Sequence, residues 1–182
     1  MNDHDLDSIE TLRPGDCFIF KGFKWIVLDN NLDGGVLAIM AKCWKEIPFD
    51  NNYSNDYRTS SLRKQLTEEL LPILGEENLV PHEVDLTADN GDTTYGTVVD
   101  KVFILSCDEY RKYREHVPLL KAWMWTCTPW YISPHAGGSH SVRNVCSAGI
   151  LGGSNAYDSY GVAPACVFRA KNLKLRKTIE IV

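Results

Sequence analysis

Lys, Glu, Gln, Met and Trp are all missing from residues 131–160. Lys and Glu are among the commonest residues in proteins, and both flanks of the segment contain them or Trp, as at Lys121, Trp130 and Glu180. All codons of these five types end in a purine. A codon that ends in a pyrimidine and varies at its first two bases never encodes these five types, and it never becomes a stop. The absence therefore indicates a series of Asn codons whose adenines have been randomised. The alternative is a Gly/Ser-rich loop that lacks the five types by chance.

The chain also lacks several features that would assign it to other classes. No apolar run is long enough to span a bilayer. The net charge of −5 argues against a partner bound through nucleic-acid phosphates and against a basic membrane-surface patch. The first residues are acidic and polar, which is not the pattern of a secretory signal. We therefore expect no nucleic acid partner and no membrane insertion, and either a virion component or cytoplasmic synthesis.

None of the six cysteines forms a C-x-x-C pair, so a structural zinc site has little support. We expect free buried thiols rather than disulfides, and neither a metal nor a cofactor. The acidic run from Asp89 to Asp92 lacks the full ligand series of a calcium loop and predicts a plain turn. The cysteines are Cys17, Cys43, Cys107, Cys127, Cys146 and Cys166.

Length and composition predict one domain over 1–182, with residues 1–12 as a tail. Apolar spacing predicts a helix from Ser61 to Leu71 that Pro72 disrupts. Ser106 and Glu109 predict a capping box for a short helix that ends near Pro118. Residues 75–100 are predicted to form an excursion with little regular structure. Strands are predicted at 17–20, 24–28, 35–43, 101–105, 123–128, 142–145, 162–168 and 177–182.

The residues that stay fixed within the segment spell a recognisable pattern. They read S-P-x-A-x-x-S-x-x-V-R-N-V-x-S-A-G-x-L from Ser133 to Leu151, then A-Y-x-S-x-G-V-A-P-A from Ala156 to Ala165. With Asn at each x, this pattern resembles the variable proteins of diversity-generating retroelements, which have a C-type-lectin-like fold related to formylglycine-generating enzymes. The resemblance is specific in the final third of the chain and loose before it. Ile132 and Ala163 stand where the family pattern often has Arg.

The resemblance implies an α+β, C-type-lectin-like fold with two helices and a β-rich C-terminal unit that displays a variable region at 130–160. Each proposed variable residue can be reached from Asn by changing only adenines, and Asn155 is read as a surviving template Asn. The pattern is less clear at Tyr131 and Ile132. The proposed variable, ligand-binding positions are Tyr131, Ile132, His135, Gly137, Gly138, His140, Ser141, Cys146, Ile150, Gly152, Gly153, Ser154, Asn155, Asp158 and Tyr160.

A diversified surface needs a scaffold that does not depend on the varied side chains. We expect nine of the varied residues to cluster on one exposed face: His135, Gly137, Gly138, His140, Ser141, Ile150, Ser154, Asp158 and Tyr160. His135, His140 and Tyr160 are expected to be the main contact residues. Arg143 and Asn144 are expected to tie irregular backbone by hydrogen bonds. Trp123 and Trp125 are expected in the core, while Trp130 is expected either in the core or in the floor beneath the varied residues. The apolar or small residues expected to anchor the segment or to be buried beside it are Ala136, Val142, Val145, Ala148, Leu151, Ala156 and Val162.

The resulting expectation is a hypervariable binding protein rather than an enzyme. Its ligand would be a cell-surface protein or glycan, bound by a phage receptor-binding or surface adhesion module. One alternative is a thiol or metal enzyme related to formylglycine-generating enzymes, built from residues such as Cys127, Cys146 and Asp158. However, several of its candidate residues fall at positions proposed to vary. Another alternative is a structural phage subunit in which the segment has no ligand.

Overall fold

The computed structural model describes residues 6–8, 11–133, 139–169 and 174–176. Most of the regular structure is β-sheet, arranged as two five-stranded sheets and two two-stranded sheets. The strands are β1 (Leu6–Ser8), β2 (Cys17–Phe20), β3 (Phe23–Leu32), β4 (Gly35–Met40), β5 (Lys45–Pro48), β6 (Leu79–Val80), β7 (His82–Asp85), β8 (Thr97–Asp100), β9 (Met124–Pro129), β10 (Ser141–Val145), β11 (Leu151–Asn155), β12 (Ser159–Val162), β13 (Ala165–Phe168) and β14 (Lys174–Arg176). The α+β class expected from the sequence is thereby confirmed.

The first large sheet has the strand order β2-β3-β4-β13-β6, and the second has the order β11-β10-β9-β12-β5. All six residues of β4 and all four of β13 are buried, as expected for central strands with both faces covered. Aromatic rings meet on this sheet, where Phe168 lies edge-on to Phe18 and Trp25 at centroid distances of 5.2 and 5.0 Å. The strands β12 and β13 follow one another along the chain but belong to different sheets, so 162–168 is not one strand as predicted.

One continuous helical stretch runs through α1 (Ser61–Gln65), a π-helical turn (Leu66–Leu70) and α2 (Leu71–Leu74). The predicted disruption at Pro72 is wrong. The amide of Leu71 donates to the carbonyl of Leu66, five residues back, and Pro72 then occupies the first turn of α2, where no amide is required. The stretch ends at Gly75, whose φ of 79° favours glycine.

The predicted capping box at Ser106 and Glu109 is confirmed, and it begins α3 (Cys107–Tyr113). This helix ends before the predicted limit near Pro118. Residues 101–105 were predicted as a strand but make only an isolated bridge, between Phe103 and Ala165. Residues 75–100 form more structure than predicted, because β7 and β8 pair as an antiparallel hairpin from His82↔Asp100 to Asp85↔Thr97.

The proposed tail is also partly structured. Within it, β1 pairs antiparallel with β14, from Leu6↔Arg176 to Ser8↔Lys174, and Leu12 is buried. The predicted strand 177–182 lies outside the described residues. In the part of the chain that the structure describes, no helix has the length and apolar character needed to cross a bilayer.

His82 joins three elements that are distant in sequence. Its Nδ1 lies 2.7 Å from Asp33 Oδ2 in the β3–β4 turn, and its Nε2 lies 3.1 Å from Glu109 Oε1 in α3. The imidazole stacks on Phe103 at a centroid distance of 4.6 Å. Burial by itself lowers the pKa of His82, but the hydrogen bonds and charges of Glu109 and Asp33 outweigh it, so that its pKa is raised.

The raised pKa of His82 predicts a pH-dependent contribution to stability. Because the folded state holds the proton more tightly, this contribution is complete below the unfolded pKa of about 6.5 and is lost as pH rises through the folded pKa. We expect His82→Gln to lower the free energy of unfolding more at pH 6 than at pH 9 in urea titrations. An equal loss at both pH values would contradict a charged His82 bridge.

Candidate functional site

One buried residue outside the proposed variable segment links the first residue of the segment, Tyr131, to Ser141 at the start of β10. Asn55 Nδ2 donates to the carbonyl oxygens of Tyr131 and Ser141, at 2.8 and 3.0 Å. Tyr95 donates its hydroxyl to Asn55 Oδ1 at 2.9 Å, so that both polar ends of the Asn55 amide are satisfied. Asn55 is fully buried. It therefore donates to two backbone carbonyls, of which that of Ser141 also accepts the Trp130 amide at 2.9 Å.

Asn55 is positioned by a loop whose shape depends on Asp50. The Asp50 carboxylate accepts backbone amides from Asn52 and Ser54 at Oδ2 and from Ser61 at Oδ1, each at 3.1 Å. Short polar side chains that bind backbone amides two or more residues ahead stabilise turns of this kind. Residues 50–56, which we call the clasp loop, therefore have a defined conformation.

The clasp loop and the segment share one surface. His140 Nδ1 donates to the carbonyl of Tyr53 at 2.8 Å, and the amide of Asn55 donates to the carbonyl of Ser139 at 3.1 Å. The rings of Tyr53 and Tyr157 lie 4.9 Å apart, and their residues are 54% and 46% exposed. Exposed tyrosines of this kind are typical of binding surfaces, because they supply large contacts at a low entropy cost.

None of the described positions proposed to vary is buried. Three are exposed: Tyr131, Ile150 and Asn155. Nine are half-buried: Ile132, His140, Ser141, Cys146, Gly152, Gly153, Ser154, Asp158 and Tyr160. The remaining three, His135, Gly137 and Gly138, lie outside the described residues.

The fixed residues of the segment follow the expected pattern with two exceptions. Val142, Val145, Ala156 and Val162 are buried, as predicted. Leu151 is only half-buried, because it lies on the edge strand β11, and Ala148 is exposed in the turn between β10 and β11. The prediction that these two residues are buried anchors is wrong. Ala136 lies outside the described residues.

Two positions proposed to vary, Gly152 and Gly153, do not share a face; neither is among the nine residues predicted to cluster. Successive residues of a strand point to opposite faces of the sheet, so a side chain at Gly152 and one at Gly153 would lie on opposite faces of β11. A Cβ added at Gly152 would lie 2.8 Å from Asn144 Oδ1, and one added at Gly153 would lie 2.1 Å from the Trp130 ring. Larger residues at these two positions require a neighbouring side chain to move.

Tyr160 is held in the scaffold rather than projecting freely. Its ring stacks on Trp123 at 5.5 Å and meets Trp125 edge-on at 4.8 Å. Asn144 donates to Ser154 Oγ at 2.8 Å, and that hydroxyl donates to the Tyr160 hydroxyl at 3.1 Å. A polar chain therefore connects a fixed buried residue to two positions that were proposed to vary.

The tryptophans and the fixed polar pair differ in part from their predicted roles. Trp125 is buried. Trp123 is 41% exposed because its ring lies beside the edge strand β11, near Gly152, and Trp130 is 44% exposed. Arg143 places its guanidinium 4.9 Å from the Trp130 ring centre, with Nε 3.6 Å from Asp89 Oδ2. The prediction was that both side chains tie irregular backbone; within the described residues neither one hydrogen-bonds to loop backbone. Their partners are aromatic, acidic and hydroxyl groups.

The cysteines give little support to thiol chemistry. All six are free; Cys107, Cys127 and Cys166 are buried, whereas the other three are half-buried. Burial raises the pKa of Cys127 and of Cys166 well above the usual value, which disfavours the reactive thiolate. Among residues 11–133 and 139–169, no three His, Cys, Asp or Glu side chains are grouped closely enough to hold a metal ion.

Comparison with known proteins gives one match. Residues 24–170 match the model of a domain of unknown function, DUF6273. The chain belongs to the DUF6273 family. No curated protein and no solved structure matches the chain. The DUF6273 match begins in β3 and ends just after β13, so that it contains both the clasp loop and the whole segment.

Within this DUF6273 domain, Asn55 and Asp50 are the site residues that sequence reasoning missed. Asn55 is separated from its two carbonyl partners by 76 and 86 residues, and no local pattern predicts such contacts. The only available signal was composition. The run D-N-N-Y-S-N-D is typical of a turn built on side-chain to backbone hydrogen bonds.

Proposed function

We propose that this DUF6273 domain is a binding protein whose residues 131–160 are diversified by a retroelement. The observation that carries the proposal is that one segment of an otherwise ordinary chain lacks the five amino-acid types whose codons all end in a purine. The ligand is a macromolecule, either a protein or a glycan of a cell surface. A C-type-lectin-like scaffold for this surface is part of the same proposal.

The arrangement of side chains supports this reading. The described varied positions reach solvent at least in part, while fixed Val142, Val145 and Ala156 are buried beneath them. A varied side chain with access to solvent can change without opening a cavity, whereas a buried one cannot. The clasp loop links Tyr131 to Ser141 through their backbone carbonyls, so the contacts made by Asn55 do not depend on the varied side chains.

Two glycines set a limit on the proposal. Gly153 can be replaced only if the Trp130 ring moves, and that ring is 44% exposed, which leaves it solvent to move into. At Gly152 the obstacle is the buried Asn144 amide, which is held by Ser154. We therefore expect fewer residue types at Gly152 than at Ile150 or Asn155.

Sequencing tests the proposed function directly. The DNA around the gene should contain a reverse transcriptase gene and a near-copy of the segment with AAC or AAT at the varied codons. Deep sequencing of a growing culture should find changes at the first two bases of those codons and none at their third bases. Codons for the buried residues of β4 are the matched control and should stay constant. A locus without a second copy of the segment would refute the diversification.

A further inference from the structure

The strand β11 forms one edge of the second large sheet, and no strand among the described residues pairs with its outer side. It pairs with β10 in a continuous antiparallel register, from Ser141↔Asn155 to Val145↔Leu151. The same ladder extends beyond both ends, with Cys146 donating to Ile150 at 2.9 Å and Ala156 donating to His140 at 2.7 Å. Hydrogen-bonded pairs alternate in such a ladder, so Gly152 and Ser154 direct their amide and carbonyl groups toward β10.

The three alternate residues of β11 therefore direct their backbone groups away from the sheet. These are Leu151, Gly153 and Asn155. Among the described residues, none donates to or accepts from these groups except that Asp158 donates to the carbonyl of Asn155 at 3.0 Å. Three amides and two carbonyls remain available on a half-buried to exposed edge. Unpaired groups of this kind are a template for an added strand.

This edge also lacks the features that protect the other edges of the two large sheets. The opposite edge, β5, carries Lys45, Glu46 and Pro48. In the first sheet, β6 has only two residues, and β2 lies beside β14. Charges, proline and short length all discourage the addition of another strand. The sequence of β11, LGGSN, contains no charge and no proline, and its pairing with β10 shows no bulge.

Two exposed tryptophans flank β11 where it has no side chains. The Trp130 ring lies directly on Gly153 on one face, and Trp123 approaches Gly152 on the other face, 3.8 Å from the position that a Cβ would take. Asn144 Oδ1, which is buried and accepts no hydrogen bond from the described residues, lies on the same side as Trp123. An added strand would thus meet an aromatic ring on each face and an acceptor on one of them.

We propose that the β11 edge captures an extended peptide segment of a partner protein as a sixth strand. Backbone hydrogen bonds to Leu151, Gly153 and Asn155 would provide affinity, as in other cases of strand addition. An apolar side chain opposite Gly153 would pack on Trp130, and a hydroxyl-bearing side chain on the other face can donate to Asn144. The inference rests on the proposed function, in that it takes 131–160 as the binding surface, and it names a peptide as the ligand class.

A second copy of this chain fits the edge less well than a peptide. Antiparallel pairing of two β11 strands around Gly153 would bring two Trp130 rings over adjacent glycines about 5.5 Å apart. Each copy also carries a net charge of −5. A five-residue edge offers only part of the roughly 1,200 Å² that a stable interface between folded domains buries. A peptide avoids these three difficulties because it is narrow and can be neutral.

The first test uses a phage-displayed library of random heptapeptides as the probe. The library is selected on the full chain and, in parallel, on Asn155→Pro and Asn155→Ala. Because the Asn155 amide points outward, proline there removes no bond to β10, and both variants lose the side-chain bond to Tyr157. Asn155→Ala measures the effect of losing the Asn155 side chain, and we expect peptides enriched on the wild type to bind Asn155→Pro at least tenfold more weakly than Asn155→Ala. Equal recovery from all three proteins, or no enrichment, would overturn the proposal.

The second test locates the bound peptide by amide hydrogen exchange. An enriched synthetic peptide should slow exchange at Leu151, Gly153 and Asn155 at least tenfold, with little change at Gly152 and Ser154, whose amides already pair with β10. When single residues of the peptide are N-methylated in turn, binding should be abolished only at alternate residues, those whose amides pair with β11. Protection at other amides would overturn the proposal, and so would protection that grows with protein concentration without peptide, which would indicate a second copy. Diversification itself is tested separately by sequencing, so either proposal can fail while the other stands.

Discussion

Replacing Trp125 by alanine is expected to lower the free energy of unfolding by about 3–5 kcal/mol, the usual cost of removing a buried aromatic side chain. Trp125 is only 1% exposed. Its ring meets Phe49 at 5.8 Å and Tyr160 at 4.8 Å, and its Nε1 donates to the carbonyl of Ile47 at 3.0 Å. The substitution would leave a cavity and an unpaired buried carbonyl. Urea unfolding followed by circular dichroism measures the loss.

Trp123→Ala is the matched control for this prediction. Trp123 lies two residues earlier in the chain and is 41% exposed, with one stacked ring contact to Tyr160. Its loss should cost about 1 kcal/mol, the value of a single aromatic pair. Similar losses for the two variants would contradict the division between a buried scaffold and an exposed binding surface. If Trp123→Ala were the more damaging, Trp123 rather than Trp125 would be the core residue.

Replacing Asn55 by alanine is expected to cost about 2–4 kcal/mol, because buried groups left unpaired cost about 1–3 kcal/mol each. The change removes one donor from the carbonyl of Tyr131 and one from that of Ser141, which keeps the Trp130 amide, and it removes the Asn55 acceptor from the Tyr95 hydroxyl. The link between Tyr131 and Ser141 would then be lost. Urea unfolding gives the loss of stability, and amide hydrogen exchange along β10 gives the loosening of the segment.

Asn51→Ala provides the control within the same loop. Asn51 is exposed, and its hydrogen bond to Ser61 uses its backbone amide, which alanine retains. We expect a change within about 0.5 kcal/mol, as for ordinary surface positions. If Asn51→Ala destabilised the protein as much as Asn55→Ala, the effect would belong to the clasp loop as a whole. If Asn55→Ala were silent, the segment would not depend on the clasp loop.

Much of the secondary structure followed from local patterns. Ser106 and Glu109 predicted their helix because a capping box involves only neighbouring residues. The hairpin at Lys21 and Gly22 and the buried strand beginning at Gly35 were likewise local features. Pro72 was misread because the π-helical turn before it, which has no sequence signature, carries the chain past the proline.

The candidate site was less predictable. Which face of β11 meets Trp123 and which meets Trp130 depends on how β9 pairs with β10 beside it. The burial of Ala148 and Leu151, which was predicted from their small or apolar side chains, was wrong for a similar reason. Their positions at a turn and at a sheet edge left them partly uncovered. Apolar character alone does not decide burial, since folded proteins expose many apolar atoms.

The sequence by itself determined which segment stands apart, because the residue types missing from 131–160 can be read directly from it. It also determined the helix caps and most strands, which depend on neighbours in the chain. Only the tertiary structure decided that the clasp loop links Tyr131 to Ser141, that Tyr160 is stacked into the scaffold, and that β11 is an edge strand with no described strand on its outer side. These features join residues far apart in sequence, and their energies come from contacts that no local pattern records.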